Sequence, residues 1–282
     1  MKRRKFIKKS LLTTLGLSFL TGLYSWQIEP FWLEFVHKKM PIKNLPKHLV
    51  GKTLVQISDM HIGTKFDYNY IIKSLQKTKK LNPDFVVYTG DYTTYESKLQ
   101  FTQLKDVLQH VVLGKLGTFG VLGNHDYGHK GWNNSKVADE ITKITTDAGI
   151  TILRNQQEES NGLNFIGFDD YWGTNFYPKK TMENFDKNNA NIALCHNPDV
   201  CDLNIWKGYN SWILSGHTHG GQVKAPFLPP LILPVKNKRY SAGEIDLYDG
   251  RTLYINRALG CIKQIRFNVR PEITIFTLTE TL

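Results

Sequence analysis

Cysteine is scarce in this sequence: Cys195, Cys201 and Cys261 are the only thiols in 282 residues, too few and odd in number for a disulfide framework. That excludes the small stapled scaffolds of secreted domains. Buried free thiols are expected, with a Cys195–Cys201 pair open only to a domain facing an oxidising compartment. Acidic residues are in the minority, 25 against 36 Lys plus Arg, which leaves a formal net charge of +11. No basic stretch is interleaved with aromatics, so specific nucleic-acid recognition is not expected. The charge instead suits an anionic membrane surface, a phosphorylated substrate or a lysine-rich solvated face. Internal repeats are missing, and so is any low-complexity segment beyond the basic start.

What the chain does have begins with a leader. Lys2, Arg3, Arg4, Lys5, Lys8 and Lys9 precede an uncharged apolar stretch from Leu11 to Tyr24, the layout of a charged n-region and an h-region. Arg3-Arg4 followed by Lys5, Phe6, Ile7 and Lys8 resembles the twin-arginine export signal, with Lys2 where Ser or Thr is usual, so the Tat translocase is a possible partner. No A-x-A cleavage site follows, which favours retention as an anchor. The run is shorter than the roughly 20 residues of a full span unless it continues through Trp26 to Ile28. Trp26, Phe31 and Trp32, with Glu29 and Pro30, read as an interfacial aromatic collar. Residues 1–28 are therefore a leader with an anchor or signal segment, 29–51 a linker containing Pro41 and Pro46, and 52–282 one large domain. Two topologies are open: a single span puts the domain outside the cytoplasm, and a monotopic leader keeps it on the inner face.

From Thr53 the pattern alternates apolar runs with amphipathic stretches. Runs at 53–58, 85–89 and 118–122 read as strands. Helical stripes at Tyr70, Ile71, Leu75 and Leu81, then at Phe101, Leu104, Val107, Leu108 and Val111, then at Val137, Ile141 and Ile144, lie between and after them. Further strands are expected at 151–153, 163–168, 191–195 and 212–215. Those at 245–248, 252–256, 265–269 and 272–278 lack intervening helical patterns and suggest an antiparallel C-terminal sheet. The order implies an α/β (α+β) fold of two sheets packed face to face with helices outside.

The chemistry sits where these runs end. Asp59-Met60-His61, Gly90-Asp91, Gly123-Asn124-His125-Asp126, His196-Asn197 and Gly216-His217-Thr218-His219 each follow an apolar run, and they hold five of the nine histidines. A lone His-x-His pair in a loop is more often polar surface. Concentration of the histidines at strand ends, beside carboxylates and an amide, is the pattern of a metal site. Two divalent cations about 3.5 to 4 Å apart polarise a phosphoryl group, activate a water and stabilise a leaving oxygen. Such a pair needs a bridging carboxylate and mixed O and N donors for each ion. Asp59, His61, Asp91, Asn124, His196, His217 and His219 supply that set without a thiolate, and suit manganese, iron or zinc without choosing among them.

These five ordered blocks resemble the signature of calcineurin-like metallophosphoesterases. The resemblance implies a four-layer α-β-β-α sandwich and a dinuclear centre. Asp59, His61, Asp91 and His219 would hold one ion, Asp91, Asn124, His196 and His217 the other, and Asp91 would bridge. His125 would not ligate but would reach the phosphate and protonate the leaving oxygen or stabilise the transition state, with Asp126 able to hold its imidazole in the needed tautomer.

The basic leader, Ile28-Glu29-Pro30, Gln56-Ile57-Ser58-Asp59, His217 to Gln222 and Arg270-Pro271-Glu272 resemble a membrane-associated bacterial branch. That branch includes Tat-exported phosphodiesterases and a UDP-2,3-diacylglucosamine pyrophosphatase of lipid A synthesis. Arg257-Ala258-Leu259 departs from it, since glycine more often precedes Leu-Gly there. The implied activity is metal-dependent hydrolysis of a membrane or envelope phosphodiester, with the diacylglucosamine pyrophosphatase and a non-catalytic scaffold of the same fold as alternatives. An acyl substrate would need an apolar groove. Phe227 to Leu233 is the candidate for it, against the plainer reading of a strand pair packed in the core.

Overall fold

The computed structural model describes residues 2–63, 65–128 and 134–281. The first half contains α1 (Lys2–Gln27), β1 (Glu34–Ile42), β2 (Thr53–Ile57), α2 (Tyr68–Lys79), β3 (Phe85–Thr89), α3 (Leu99–Leu108), β4 (Gly117–Val121), α4 (Ser135–Asp147) and β5 (Thr151–Ile152). The second contains β6 (Gln156–Ser160), β7 (Leu163–Gly167), α5 (Pro178–Met182), β8 (Ala190–Leu194), β9 (Trp212–Ser215), β10 (Gly243–Asp246), β11 (Thr252–Ile255) and β12 (Glu272–Glu280).

Strands such as β3 and β8, buried at every position, need cover on both faces, and the architecture supplies it. Two six-stranded sheets have the orders β1-β12-β2-β3-β4-β5 and β10-β11-β9-β8-β7-β6. Their inner faces share a core of Leu54, Phe85, Phe119, Phe165, Leu194 and Trp212, in which the Phe119 and Phe165 rings stack at 4.2 Å. The other face of the first sheet is covered by α2, α3 and α4 through Ile71, Leu75, Leu104, Val107 and Ile141. Beyond the second sheet the cover is thinner: the short α5 region through Met182 and the 3-10 turn Pro198–Asp202 through Val200 and Cys201. This is the mixed-sheet α/β sandwich expected. All three cysteines are free and buried.

Three expectations change. The stretch assigned to a linker contains β1, which pairs with β12 in parallel over nine residues, Glu34↔Glu272 to Ile42↔Glu280. Its lysines and Pro41 belong to an edge strand, where a missing N–H and charged side chains cost nothing and discourage further pairing. The C-terminal strands do not form an antiparallel sheet of their own, although β10 and β11 pair antiparallel. β11 runs parallel to β9, β12 crosses into the first sheet antiparallel to β2, and residues 265–269 contribute one isolated bridge, Val223↔Phe267. Strand β6 was hidden because Gln156–Ser160 is wholly polar, again at an edge.

The aromatic collar divides as well. Trp26 is exposed, but Glu29 and Pro30 are buried, Phe31 stacks on Phe66 at 5.5 Å, and Trp32 lies under the Arg270 guanidinium. Preceding it, α1 projects apolar side chains such as Leu12, Phe19 and Leu20 into the open; among the described residues no helix is long and apolar enough to cross a membrane.

One buried cation ties this junction to the rest. Arg266 is fully buried and donates to the carbonyl oxygens of Arg257, Ala258, Gly260 and Val269 at 2.7–3.2 Å. The segment it gathers is docked on the end of β2, with Leu259 N bonding Ser58 O at 2.9 Å and Gly260 N bonding Asp59 O at 2.8 Å. Ala258 there has φ +71°, a conformation that suits glycine better than a residue with a Cβ. Arg266→Met strips several buried carbonyls of their donors at once. Urea unfolding is expected to show a loss of roughly 3 kcal/mol or more, and a loss near zero would mean that water replaces the guanidinium.

Candidate metal centre

Strands β2, β3, β4, β8 and β9 all release their chains at the same end of the sandwich, where open α/β sheets bind ligands. The backbone then turns sharply to bring side chains back over the strand ends. Asp59, His61, Asp91, His217 and His219 all have φ between +47° and +72°, a region that L-residues avoid unless the surroundings impose it. Two glycines are required by close approach. A Cβ on Gly123 would collide with the Asp91 carboxylate, and one on Gly216 with Ser58 Oγ and the Asp59 carboxylate.

The result is three overlapping groups of donors, each with its atoms within 4.8 Å of one another: Asp59, His61 and His219; His61, Asp91 and His125; Asp91, His196 and His217. One oxygen joins them. Asp91 Oδ2 lies 3.5 Å from His61 Nε2 and 3.1 Å from His196 Nε2. On one side of it His219 Nε2 is 2.9 Å from His61 Nε2 and 3.2 Å from Asp59 Oδ1; on the other His217 Nδ1 is 3.2 Å from His196 Nε2. Asn124, carried on the 3-10 turn after β4, has a buried Oδ1 with no hydrogen-bond partner among the described residues. His219 Nδ1 is likewise buried and unpartnered. Closely opposed imidazole nitrogens and an orphaned amide oxygen are what a set of cation ligands looks like, and the donors fit divalent metal.

The distal nitrogens fix which atoms face the centre. His196 Nδ1 is 2.8 Å from Thr89 O and His217 Nε2 is 2.9 Å from Pro234 O; a carbonyl only accepts, so those nitrogens carry hydrogen and the others face inward. His61 Nδ1 is 2.9 Å from Thr94 Oγ1. Burial drives His61 well below the ordinary histidine value despite the neighbouring Asp91, and drives His217, beside His196, down to about 3. Burial would raise Asp59, yet His219 and His196 hold it at about 2; Asp91 is held well below the usual carboxylate range by His196 and His125. For His196 the two carboxylates outweigh burial and lift it well above the histidine range. Ionised carboxylates beside neutral imidazoles are the metal-binding protonation states, and His196 is the position where a cation would replace a proton.

His125 is half-buried at the rim, its ring edge-on to His61 at 5.0 Å and its backbone N donating to Asp91 Oδ1 at 2.8 Å. Asp126 does not hold that imidazole. Its carboxyl accepts from the backbone N–H groups of Gly123 at 2.9 Å, Thr93 at 3.1 Å and Tyr92 at 3.3 Å. Burial and the nearby Asp91 push it up to about 8. It is a positioning residue that cinches the turn after β3 to the turn after β4. An Asp directly after His in a turn bonds backbone more readily than its neighbour's ring.

A family model described as calcineurin-like phosphoesterase matches residues 52–221, well over half of the chain. The chain belongs to the calcineurin-like phosphoesterases. It is 30% identical, over its full length and 99% of the relative's, to an uncharacterized metallophosphoesterase, YkuE, of Bacillus subtilis. It is 28% identical to the UDP-2,3-diacylglucosamine pyrophosphatase LpxG of Chlamydia muridarum, over 94% of this chain and 95% of that one. It is 27% identical to the phosphodiesterase YaeI of Escherichia coli, over 99% of both. The protein is a metal-dependent phosphoric ester hydrolase.

Sequence reasoning missed several neighbours of the centre. Thr94 and Ser58 reach it only through the fold. Asp170, after β7, is buried with Oδ1 unpartnered among the described residues and is raised to about 7, chiefly by burial. Trp172 sets its ring edge-on to His217 at 4.7 Å. Residues 227–233 are neither strand nor core: Phe227 is fully exposed, Leu231 and Ile232 nearly so, and only Leu233 is buried. Beside His217 and His219 lies a cavity of about 480 Å³ walled by Val223, Leu231, Ile232, Pro234, Ile262 and Ile265.

Metal analysis of purified variants checks the centre. Asp91→Asn is expected to lose most of the bound divalent metal while its circular dichroism is kept; a full complement would remove Asp91 from the centre. Asn124→Ala is expected to lower the bound metal, and an unchanged metal content would leave its orphaned Oδ1 without that role.

Proposed function

We propose that the chain is a phosphodiesterase that cleaves a lipid-linked phosphodiester of a membrane or envelope through a dinuclear centre. Asp59, His61, Asp91 and His219 would hold one ion, and Asp91, Asn124, His196 and His217 the other, the metals being manganese, iron or zinc. The observation that carries this is the single oxygen, Asp91 Oδ2, standing between two donor groups with half-exposed His125 at their rim. When bound, the two ions polarise the phosphoryl oxygens and lower the pKa of a water.

The protein's own residues divide the remaining work. Thr89 O and Pro234 O orient His196 and His217 by accepting their distal N–H. Ser58 Oγ and His217 N donate to the Asp59 carboxylate and fix its rotation. His125 delivers a proton to the leaving oxygen as the P–O bond breaks, and Asp126 keeps its turn in place. That every donor and His125 are present speaks against a non-catalytic scaffold.

A second reading, UDP-2,3-diacylglucosamine pyrophosphatase, is favoured by the apolar cavity beside His217 and His219, which has room for part of an acyl chain, and by the named activity of LpxG. Membrane association through the leader is part of the proposal. It rests on the basic cluster and on the exposed apolar side chains of α1. If the twin-arginine segment acts as an export signal, the domain lies outside the cytoplasm; otherwise it lies on the inner face of the membrane.

Turnover separates the roles. His125→Ala is expected to retain metal and lose about 10²- to 10⁴-fold in rate on an alkyl phosphodiester. The loss should be much smaller with a nitrophenyl leaving group, which needs no acid. An equal loss on both substrates would assign His125 to phosphate binding instead. Release of UMP from the UDP-linked diacyl sugar, with no cleavage of simple diesters, would favour the second reading.

A further inference from the structure

We infer that the loop 225–232 and the exit of α1 form one bilayer-docking surface, which seats the apolar cavity beside the metal centre against anionic lipid. The two parts are far apart in sequence and are joined by residues 263–267. Gln222 Nε2 donates to Lys263 O and Ile265 O, Phe267 N to Gln222 O and Lys224 N to Phe267 O, which fixes the base of the loop to this segment. On its other side the same segment grips the helix. Arg266 N donates to Ser25 O at 2.8 Å, Gln264 Nε2 to Trp26 O at 3.0 Å, and Tyr24 meets Phe267 edge-on. Apolar side chains therefore stand exposed on three segments that are bonded to one another: Trp26 and Ile28 at the helix exit, Ile265 in the joining segment, Phe227, Leu228 and Leu231 in the loop. A soluble surface seldom gathers so many large apolar groups, at 44–103% exposure, in one place.

Charge identifies the occupant. None of the 25 acidic residues falls in residues 220–243 or 257–271, which carry the loop and the joining segment; Arg266 there is buried and Arg257 and Arg270 are ion-paired, which leaves Lys224, Lys236, Lys238, Arg239 and Lys263 to meet anionic lipid. Large aliphatics and a tryptophan among lysines and arginines, without a single carboxylate in the chain segments that carry them, match the boundary of an anionic bilayer. Leu231 and Ile265 belong both to this surface and to the cavity wall, so a lipid's apolar tail entering there would pass from one to the other without first crossing water. The inference gives the lipid-borne substrate of the proposed function its route. It can be tested without turnover, so its failure and the failure of that reading are separate results.

The test uses the full chain carrying Phe227→Cys labelled with an environment-sensitive fluorophore, the three native thiols being buried. A matched label goes on Lys187→Cys, at the opposite, N-terminal end of β8. With vesicles of phosphatidylethanolamine and phosphatidylglycerol the label at 227 is expected to brighten severalfold and shift to the blue, and the label at 187 to stay unchanged. Phosphatidylcholine vesicles should give a weaker response. A silent 227 label on vesicle-bound protein overturns the inference, because α1 alone would then hold the chain. Equal responses at both positions overturn it as unspecific adsorption. Brightening that grows with protein concentration and needs no vesicles overturns it in favour of a second copy of the chain. The unlabelled double variant Phe227→Ser, Leu228→Ser should lower vesicle partition by roughly tenfold for each side chain withdrawn from lipid, with soluble diester turnover unchanged. Unchanged partition overturns it.

Discussion

Asp91 sits where two sets of imidazoles meet, buried, ionised and in left-handed backbone, and much of the site's geometry follows from keeping it there. Its Oδ2 faces His61 and His196, while Oδ1 accepts the backbone N–H of His125. Gly123 must be glycine because the carboxylate lies where its Cβ would be. A buried carboxylate of this kind is costly unless positive charge or N–H donors surround it, so its neighbours are constrained in identity and in position. The single carboxyl group thus couples the ends of β2, β3, β4 and β8.

Two buried groups outside the donor set hold that arrangement. Asp126 uses both oxygens on backbone N–H groups of the turns after β3 and β4. Arg266 donates to the carbonyls of Arg257, Ala258 and Gly260, in a segment whose Leu259 and Gly260 N–H groups close on Ser58 and Asp59. The same Arg266 offers its backbone N–H to Ser25, and Glu29 accepts from Val269 N at 2.6 Å. A continuous set of hydrogen bonds therefore runs from the root of α1 to the backbone beneath Asp59. The leader's root is part of the fold, not an appendage to it.

That these residues converge was legible because parallel strands aim their C-terminal turns at one place, so that short motifs far apart in sequence meet without knowledge of the loops between them. The central strands were legible for a related reason: buried on both faces, they are continuously apolar. Edge strands have one solvated side and imitate loops, as the lysines and Pro41 of β1 and the glutamines and glutamates of β6 do. In the last third the antiparallel β10–β11 pair was legible, whereas the parallel run of β11 beside β9 and the crossing of β12 into the first sheet were not, since a longer loop can return a chain either way. The role of Asp126 failed on the same ground as the interior of 227–233. Adjacency in sequence does not say whether a side chain turns toward its neighbour, the core or solvent.

That division has a chemical meaning. The candidate metal ligands are carried by strand ends, and their identities are constrained by charge, distance and backbone strain. Groups that could distinguish one phosphodiester from another lie on longer irregular segments: Trp172 against His217, Pro234 O behind the same imidazole, and Leu231 and Ile232 in the cavity wall. His217 touches both sets. Its Nδ1 faces His196 while its other nitrogen is held by the loop that carries the apolar wall. The carbonyl that holds this imidazole therefore lies on the same loop as the apolar wall, so the orientation of one donor depends on where that loop sits.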